Sequence, residues 1–221
     1  MEQLYNLFSV PVMRFAGNDN YDAIQCEIKN ALQHIEENKD YSTSSYFAEK
    51  TYSNKNYNFL EKYNCLHLKK KIINDLDSYL NNLRWNFLKN KDNFSIVNSW
   101  INIIHTGDYH NNHLHPGHTI SGVYYYRTSA KQGGICFENP NRLMLFGQFP
   151  QGPVSPSSVT IIPNDGDTIL FPSWLSHSTR KNESVEDRIS IAFNIDYSYT
   201  KESSDLVMDG FYPYHDTHFV F

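Results

Sequence analysis

From residue 93 onward the chain breaks into short runs of β-forming residues divided by turn signals, and that rhythm leaves few folds open. The runs fall at 94–104, 111–115, 119–127, 134–138, 158–162, 167–171, 175–180 and 188–196. Between them stand Pro116-Gly117, Gly133-Gly134, Asn139-Pro140, Gly152-Pro153 and Asn164-Asp165-Gly166. Such residues suit tight turns, because glycine reaches positive φ freely and proline pre-sets its own. Eight short strands without helices between them predict a sandwich or jelly roll rather than alternating β/α units. An aromatic content of 15%, with 16 Tyr and 14 Phe, agrees with a β-rich chain.

The first 92 residues read differently. Ile24, Ile28, Ala31 and Ile35 recur at steps of three or four after Asn20, a suitable N-cap, and predict an amphipathic helix. Ile73, Leu76, Leu80, Leu83 and Phe87 predict a second, and the Ser/Thr/Tyr/Asn-rich stretch at about 40–57 reads as an irregular loop. With 221 residues there is room for one domain of ordinary size. The expected architecture is mainly β with flanking helices, a single domain over 1–221. A helical segment (1–92) packs on a jelly-roll, cupin-like core (93–199). The aromatic and His-rich tail (200–221) either folds back over the barrel or joins a second copy in a homo-oligomer.

A net charge of −5 argues against a protein built to grip nucleic-acid phosphates or an anionic membrane. No apolar run approaches the roughly 20 residues of a membrane span. Cys26, Cys65 and Cys136 are an odd number, far apart and without a CxxC pair, which disfavours a disulfide scaffold or a thiolate zinc site. The opening MEQLYNLFSV lacks the basic and apolar regions of a secretory signal, so the expected setting is the reduced cytoplasm.

Of ten histidines, five lie between 105 and 118. In an extended segment residues i and i+2 point to the same face, so His113 and His115 present two imidazoles side by side, fit for adjacent positions on one metal ion. Pro116 reinforces the extended geometry of His115. His177, 62 positions after His115 and following the turn and apolar run Gly166–Pro172, is the best third ligand (177 − 115 = 62). Three histidines on one side of an ion leave positions open for substrate and oxygen. The plainer readings are surface histidines in a polar loop or a chance zinc site.

Eleven residues beyond His177 the run 188–194 sets Arg188, Ser190, Ala192 and Asn194 on one face, and Ile189, Ile191 and Phe193 on the other (188 − 177 = 11). If the polar face turns inward, the Arg188 fork can hold a carboxylate bidentately and the Ser190 hydroxyl can add a bond. That suits a dicarboxylate whose other end chelates the metal.

These stretches together resemble the Fe(II)/2-oxoglutarate-dependent oxygenase superfamily, whose fold is the double-stranded β-helix, and within it a group of small bacterial and phage members. The resemblance rests on Trp100–Ile103, His113-Leu114-His115-Pro116-Gly117, Ser121-Gly122-Val123-Tyr124-Tyr125, Gly134–Phe137, Leu170-Phe171-Pro172-Ser173-Trp174-Leu175-Ser176-His177 and Arg188–Asn194. The opening Leu7–Pro11 is similar too, so most of the chain is covered. The resemblance implies Fe(II) and 2-oxoglutarate as cofactor and cosubstrate, molecular oxygen as co-reactant, and hydroxylation of a substrate C–H bond. It implies that His113 and His177 ligate iron, and that Arg188, Ser190 and the Tyr125 hydroxyl hold the far carboxylate of 2-oxoglutarate. Asn102 would contact cosubstrate or substrate.

Where that superfamily usually has a carboxylate, this chain has His115. Imidazole suits iron, so His115 is expected to ligate. Otherwise it turns away, or Asp108 or His110 serves instead. The rival readings are a three-histidine cupin-like dioxygenase that does not use 2-oxoglutarate, and a non-catalytic metal-containing jelly-roll module. The substrate is not named by the sequence; a protein side chain or small metabolite fits the acidic balance better than a nucleic acid.

Overall fold

The computed structural model describes residues 9–17, 20–39, 41–43, 52–54, 58–83, 93–141 and 156–198. In chain order the elements are β1 (Met13–Phe15), α1 (Tyr21–Asn38), β2 (Tyr41–Thr43), β3 (Tyr52–Asn54), α2 (Phe59–Lys62), α3 (Leu66–Asn82) and β4 (Phe94–Ile104). They continue with β5 (Ile120–Arg127), β6 (Ile135–Glu138), β7 (Ser158–Ile161), β8 (Thr168–Pro172), β9 (His177–Thr179) and β10 (Arg188–Tyr197).

The strands form two antiparallel sheets, one of seven strands in the order β1-β8-β5-β10-β4-β3-β2 and one of three in the order β7-β6-β9. Strands distant in sequence are thus neighbours: β10 lies between β4 and β5. This is the jelly-roll architecture the turn spacing predicts. Alternation along β10 divides its side chains between two environments. Ile189, Ile191, Phe193 and Ile195 enter the apolar cluster shared with the helices. Arg188, Ser190 and Ala192 line a cavity on the other face.

Helix α1 buries Ile24, Ile28, Ala31 and Ile35, the residues its periodicity selects. Each isoleucine so buried contributes roughly 1.5–3 kcal/mol. Asn20 holds the N-cap position, though its side chain makes no capping hydrogen bond, and Lys39 closes the helix in the left-handed region at φ 51°. The second stripe is displaced from its expected line. Helix α3 buries Leu68, Ile72, Leu76, Tyr79 and Leu80, and Ile73 is 40% exposed. The reason is an ion pair on the buried face: Lys71 Nζ donates to Asp75 Oδ2 at 2.8 Å and to the Ala16 carbonyl at 3.1 Å. Two charged residues occupy positions a sequence pattern assigns to solvent.

The stretch expected as an irregular loop holds two short strands, β2 and β3, with β3 paired to β4. The expected strand 111–115 is instead a single bridge between His113 and His177. Its ladder breaks on both sides: the His110 carbonyl accepts from Thr179 N, and His115 N donates to the Ser173 carbonyl. Phe87, the Gly152-Pro153 turn and the tail from 200 lie outside the described residues.

Candidate active site

The bridge that interrupts the strand also assembles the histidines. His113 N donates to the His177 carbonyl at 2.9 Å and His177 N to the His113 carbonyl at 2.8 Å, so the two side chains stand directly opposite one another. Their ring centroids are 4.3 Å apart. His115, two residues on, lies 5.3 Å from His113 and 5.2 Å from His177. One ligand nitrogen from each of the three falls within 4.8 Å of the others.

Burial makes these imidazoles poor bases. It pushes His177 down to about 3 and His115 down to about 4, with repulsion from neighbouring histidines adding to the effect. His113 is lowered too, by burial, against a backbone hydrogen bond that opposes the shift. All three are therefore neutral near pH 7 and keep a lone pair for a metal. The tautomers of two follow from their partners. His113 Nδ1 meets the Asn111 carbonyl at 2.7 Å, and His177 Nδ1 meets the Leu175 carbonyl at 2.9 Å. A carbonyl only accepts, so Nδ1 carries the proton and Nε2 the lone pair.

Cross-strand register aligns the other candidates. Ser190 on β10 stands opposite Asn102 on β4 and Tyr125 on β5, forming one row on the inner face. Burial pushes the Tyr125 hydroxyl up to about 12, with Arg188 opposing, so it stays a donor. The Asn102 Oδ1 is buried and has no partner among the described residues.

Arg188 is 1% exposed. Its Nη1 donates to the Gln132 and Gly133 carbonyls at 2.9 and 3.2 Å, while the buried Nη2 has no partner among the described residues. Among the described residues no carboxylate pairs with it. A buried cation without an anion is costly, and burial accordingly lowers its pKa. The site therefore favours a ligand that brings negative charge.

All seven sequence-selected residues, Asn102, His113, His115, Tyr125, His177, Arg188 and Ser190, line one cavity. It encloses about 530 Å³, its open mouth included. Of the two spare ligands, His110 also lines it, with its ring 6.3 Å from that of His113, and Asp108 does not. Two residues of the wall were given no role by the sequence reading: Trp100 stacks on His115 at 5.6 Å, and Thr179 lines the wall two residues beyond His177. The alternation of β9 carried a signal for Thr179, which shares its face with His177.

Residues 98–194 match the model of a family described as "Putative 2OG-Fe(II) oxygenase", and every one of the seven falls inside that stretch. Solved structures share the fold. A Pseudomonas putida prolyl-4-hydroxylase aligns over 88% of this chain and 96% of its own, at 11% identity and a TM-score of 0.55. The 2-oxoglutarate-dependent epimerase SnoN of nogalamycin biosynthesis aligns over 86% and 81%, at 13% identity and 0.60. HygX from Streptomyces hygroscopicus, solved with nickel, 2-oxoglutarate and hygromycin B, aligns over 86% and 84%, at 12% identity and 0.54. At such identities the likeness is one of fold. No curated protein sequence matches the chain. Family match and jelly-roll fold coincide on the segment that holds the cavity: residues 98–194 are similar to the family of putative 2OG-Fe(II) oxygenases, on a fold shared with 2-oxoglutarate-dependent enzymes.

Proposed function

We propose that the protein hydroxylates a C–H bond of a protein side chain or small metabolite, with Fe(II) held by His113, His115 and His177. Arg188, Ser190 and Tyr125 hold the far carboxylate of 2-oxoglutarate. The observation that carries this reading is the Arg188 guanidinium, buried in the cavity wall with Nη2 unpartnered and no carboxylate beside it among the described residues. A charged hydrogen bond to such a group is worth about 1.5–3 kcal/mol. The three neutral imidazoles fit a divalent cation, and a dianionic cosubstrate would then balance its charge.

When bound, iron and 2-oxoglutarate together supply the oxidising chemistry: decarboxylation to succinate and carbon dioxide, with one atom of dioxygen going to the substrate. The protein's part is placement and exclusion of water. His113 and His177 are pre-set by their Nδ1–H bonds to backbone carbonyls, so their lone pairs need no reorganisation. Arg188 is braced by two backbone carbonyls of the turn before β6 and cannot swing away from the wall. Tyr125 and Ser190 present hydroxyls from adjacent strands in one row. Trp100, Val123, Ile135 and Phe171 supply apolar wall. The Asn102 Oδ1, without a partner among the described residues, offers an acceptor to cosubstrate or substrate.

A direct three-histidine dioxygenase is favoured by His115 standing where a carboxylate is usual, but such an enzyme has no use for the buried Arg188. We read residues 1–221 as one domain, working in the cytoplasm, where three free cysteines stay reduced. The test is succinate formation from 2-oxoglutarate with Fe(II) and oxygen, in wild type and Arg188→Met. The expected result is succinate release that falls roughly 10–100-fold in the variant at subsaturating 2-oxoglutarate, as loss of a charged hydrogen bond requires. Equal succinate from both proteins contradicts the assignment of Arg188.

A further inference from the structure

The turn before β6 is laced to the segment that leads into Arg188. Residues Ala130–Gln132 form one 3-10 turn, closed by Gln132 N donating to the Ser129 carbonyl at 3.0 Å, and Gly133 and Gly134 follow. A helical turn this short leaves its later carbonyls without partners of their own. The stretch from Arg180 to Arg188 supplies the donors. Glu183 N donates to the Lys131 carbonyl at 2.8 Å and Arg180 N to the Gly134 carbonyl at 2.9 Å. The two carbonyls between them, of Gln132 and Gly133, take Arg188 Nη1.

Gln132 makes a second contact with the same segment. It is 2% exposed, and an amide buried so deeply needs a partner. Its Nε2 donates to the Glu186 carbonyl at 3.0 Å, two residues before Arg188. The Glu186 carbonyl also accepts from Asn182 Nδ2 at 2.9 Å. Asn182, fully buried, ties the segment to the end of β4 by donating to the Ile104 carbonyl, and its Oδ1 accepts from Ser184 N. All of these partners are backbone groups with a single role, so the orientation of both amides depends on no protonation state.

Gln132 thus holds Arg188 at both ends. Its main-chain carbonyl takes the guanidinium, and its side chain fixes the backbone from which Arg188 departs. An arginine side chain ordinarily keeps much rotamer freedom. Here it is tied at both ends to one residue, and the guanidinium shifts only if one of those bonds breaks. Arg188 is therefore presented at one place in the cavity wall. A dicarboxylate chelating a metal at the histidines must reach that place with its other end. A fixed span suits one chain length.

We propose that Gln132 is the positioning residue for Arg188, and that by holding the guanidinium still it makes the site select 2-oxoglutarate over the homologous diacid one methylene longer. The role rests on the reading that Arg188 holds the far carboxylate of 2-oxoglutarate. Gln132 itself needs no contact with the ligand; it lowers the cost of ordering the group that does.

The experiment is isothermal titration of 2-oxoglutarate and of 2-oxoadipate into the full-length protein loaded with Co(II), with thermal melting as a fold control. The proteins are wild type, Gln132→Met, Arg188→Met and the double variant. Gln132→Met removes the side-chain tie but keeps the main-chain carbonyl, and the Glu186 carbonyl still has Asn182. Wild type is expected to prefer 2-oxoglutarate by about tenfold or more. In Gln132→Met the affinity for 2-oxoglutarate is expected to fall roughly 3–10-fold, as loss of one neutral hydrogen bond requires. The affinity for 2-oxoadipate is expected to fall less, so the preference narrows. In the Arg188→Met background Gln132→Met is expected to add no further loss.

A purely structural role would weaken both diacids equally, so an unchanged preference overturns the proposal. Additive losses in the double variant, or a wild type that binds both diacids alike, overturn it too. If Gln132→Met does not fold, Gln132→Asn, whose amide is one methylene too short to reach the Glu186 carbonyl, is read in the same way. If Arg188→Met binds 2-oxoglutarate as tightly as wild type, the reading of Arg188 itself falls. That outcome is distinct from failure of Gln132, which leaves the loss in Arg188→Met intact.

Discussion

Arg188 Nη1 donates to the Gly133 carbonyl at 3.2 Å, and Gly133 sits at φ +75° in a turn where a Cβ would lie 2.5 Å from the Arg180 carbonyl oxygen. The guanidinium is thus braced by a residue whose backbone only glycine adopts without strain. Gly133→Ala must move the turn and the carbonyl with it, at a cost of about 1–3 kcal/mol for a strained backbone. The expected outcome is weaker 2-oxoglutarate binding, several-fold or more, with metal affinity nearly unchanged because no histidine of the cluster lies on that turn. Isothermal titration with metal and with cosubstrate separates the two effects. Equal losses for both would mean that the turn only supports the fold.

The pH dependence of the metal-free protein follows from the buried imidazoles. His110, His113, His115 and His177 are all lowered by burial, His115 to about 4 and His177 to about 3. In the unfolded chain a histidine titrates near 6.5. Below that value the unfolded state takes up protons the folded state refuses, so the unfolded state is favoured. Stability is complete above about pH 6.5 and is lost progressively as pH falls towards the folded values. Melting temperature is expected to drop between pH 6.5 and 5, with a shallower slope in His177→Gln. A flat profile, or an unchanged slope in the variant, contradicts the buried-neutral assignment.

The Lys71–Asp75 pair is the main charged feature beneath α3. Lys71 is 1% exposed and bonds Asp75 and the Ala16 carbonyl, while burial raises the Asp75 pKa against the opposing effect of Lys71. Removing the lysine leaves a buried carboxylate without its cation. Lys71→Met is expected to cost about 3–5 kcal/mol in denaturant unfolding, and the double variant Lys71→Met/Asp75→Leu to regain most of it. A loss under about 1 kcal/mol in the single variant would show that water reaches the pair.

Much of this was written in the chain. β4 occupies the stretch 94–104 that its composition marks, and α1 buries the four residues its period selects. Long, regular elements with one buried face declare themselves. The three-residue strands β1, β2 and β3 do not, because too few residues alternate and each depends on a neighbouring strand for its hydrogen bonds. Ile73 misled for a different reason: Lys71 and Asp75 are charged by type and buried by pairing, which shifts the apparent face of α3 by one residue.

The cavity was legible residue by residue but not as a set of contacts. Spacing singled out His113, His115 and His177, and the alternation of β10 faced Arg188 and Ser190 the same way. What it could not contain was register. The row from Asn102 through Ser190 to Tyr125 crosses three strands far apart in sequence, and only their pairing makes it a row. Likewise the bridge between His113 and His177, rather than a full strand at 111–115, sets their rings 4.3 Å apart.

The central claim is that Arg188 anchors 2-oxoglutarate while its other end chelates iron held by the three histidines. The most direct measurement is an anaerobic titration of Fe(II) and 2-oxoglutarate into the apo-protein, following the weak visible charge-transfer band of the iron chelate, with Arg188→Ala in parallel. The account predicts a band in wild type that requires both components, and in the variant a band that forms only at 2-oxoglutarate concentrations roughly 10–100-fold higher. Iron binding in wild type without any band, or bands of equal midpoint in both proteins, would contradict it.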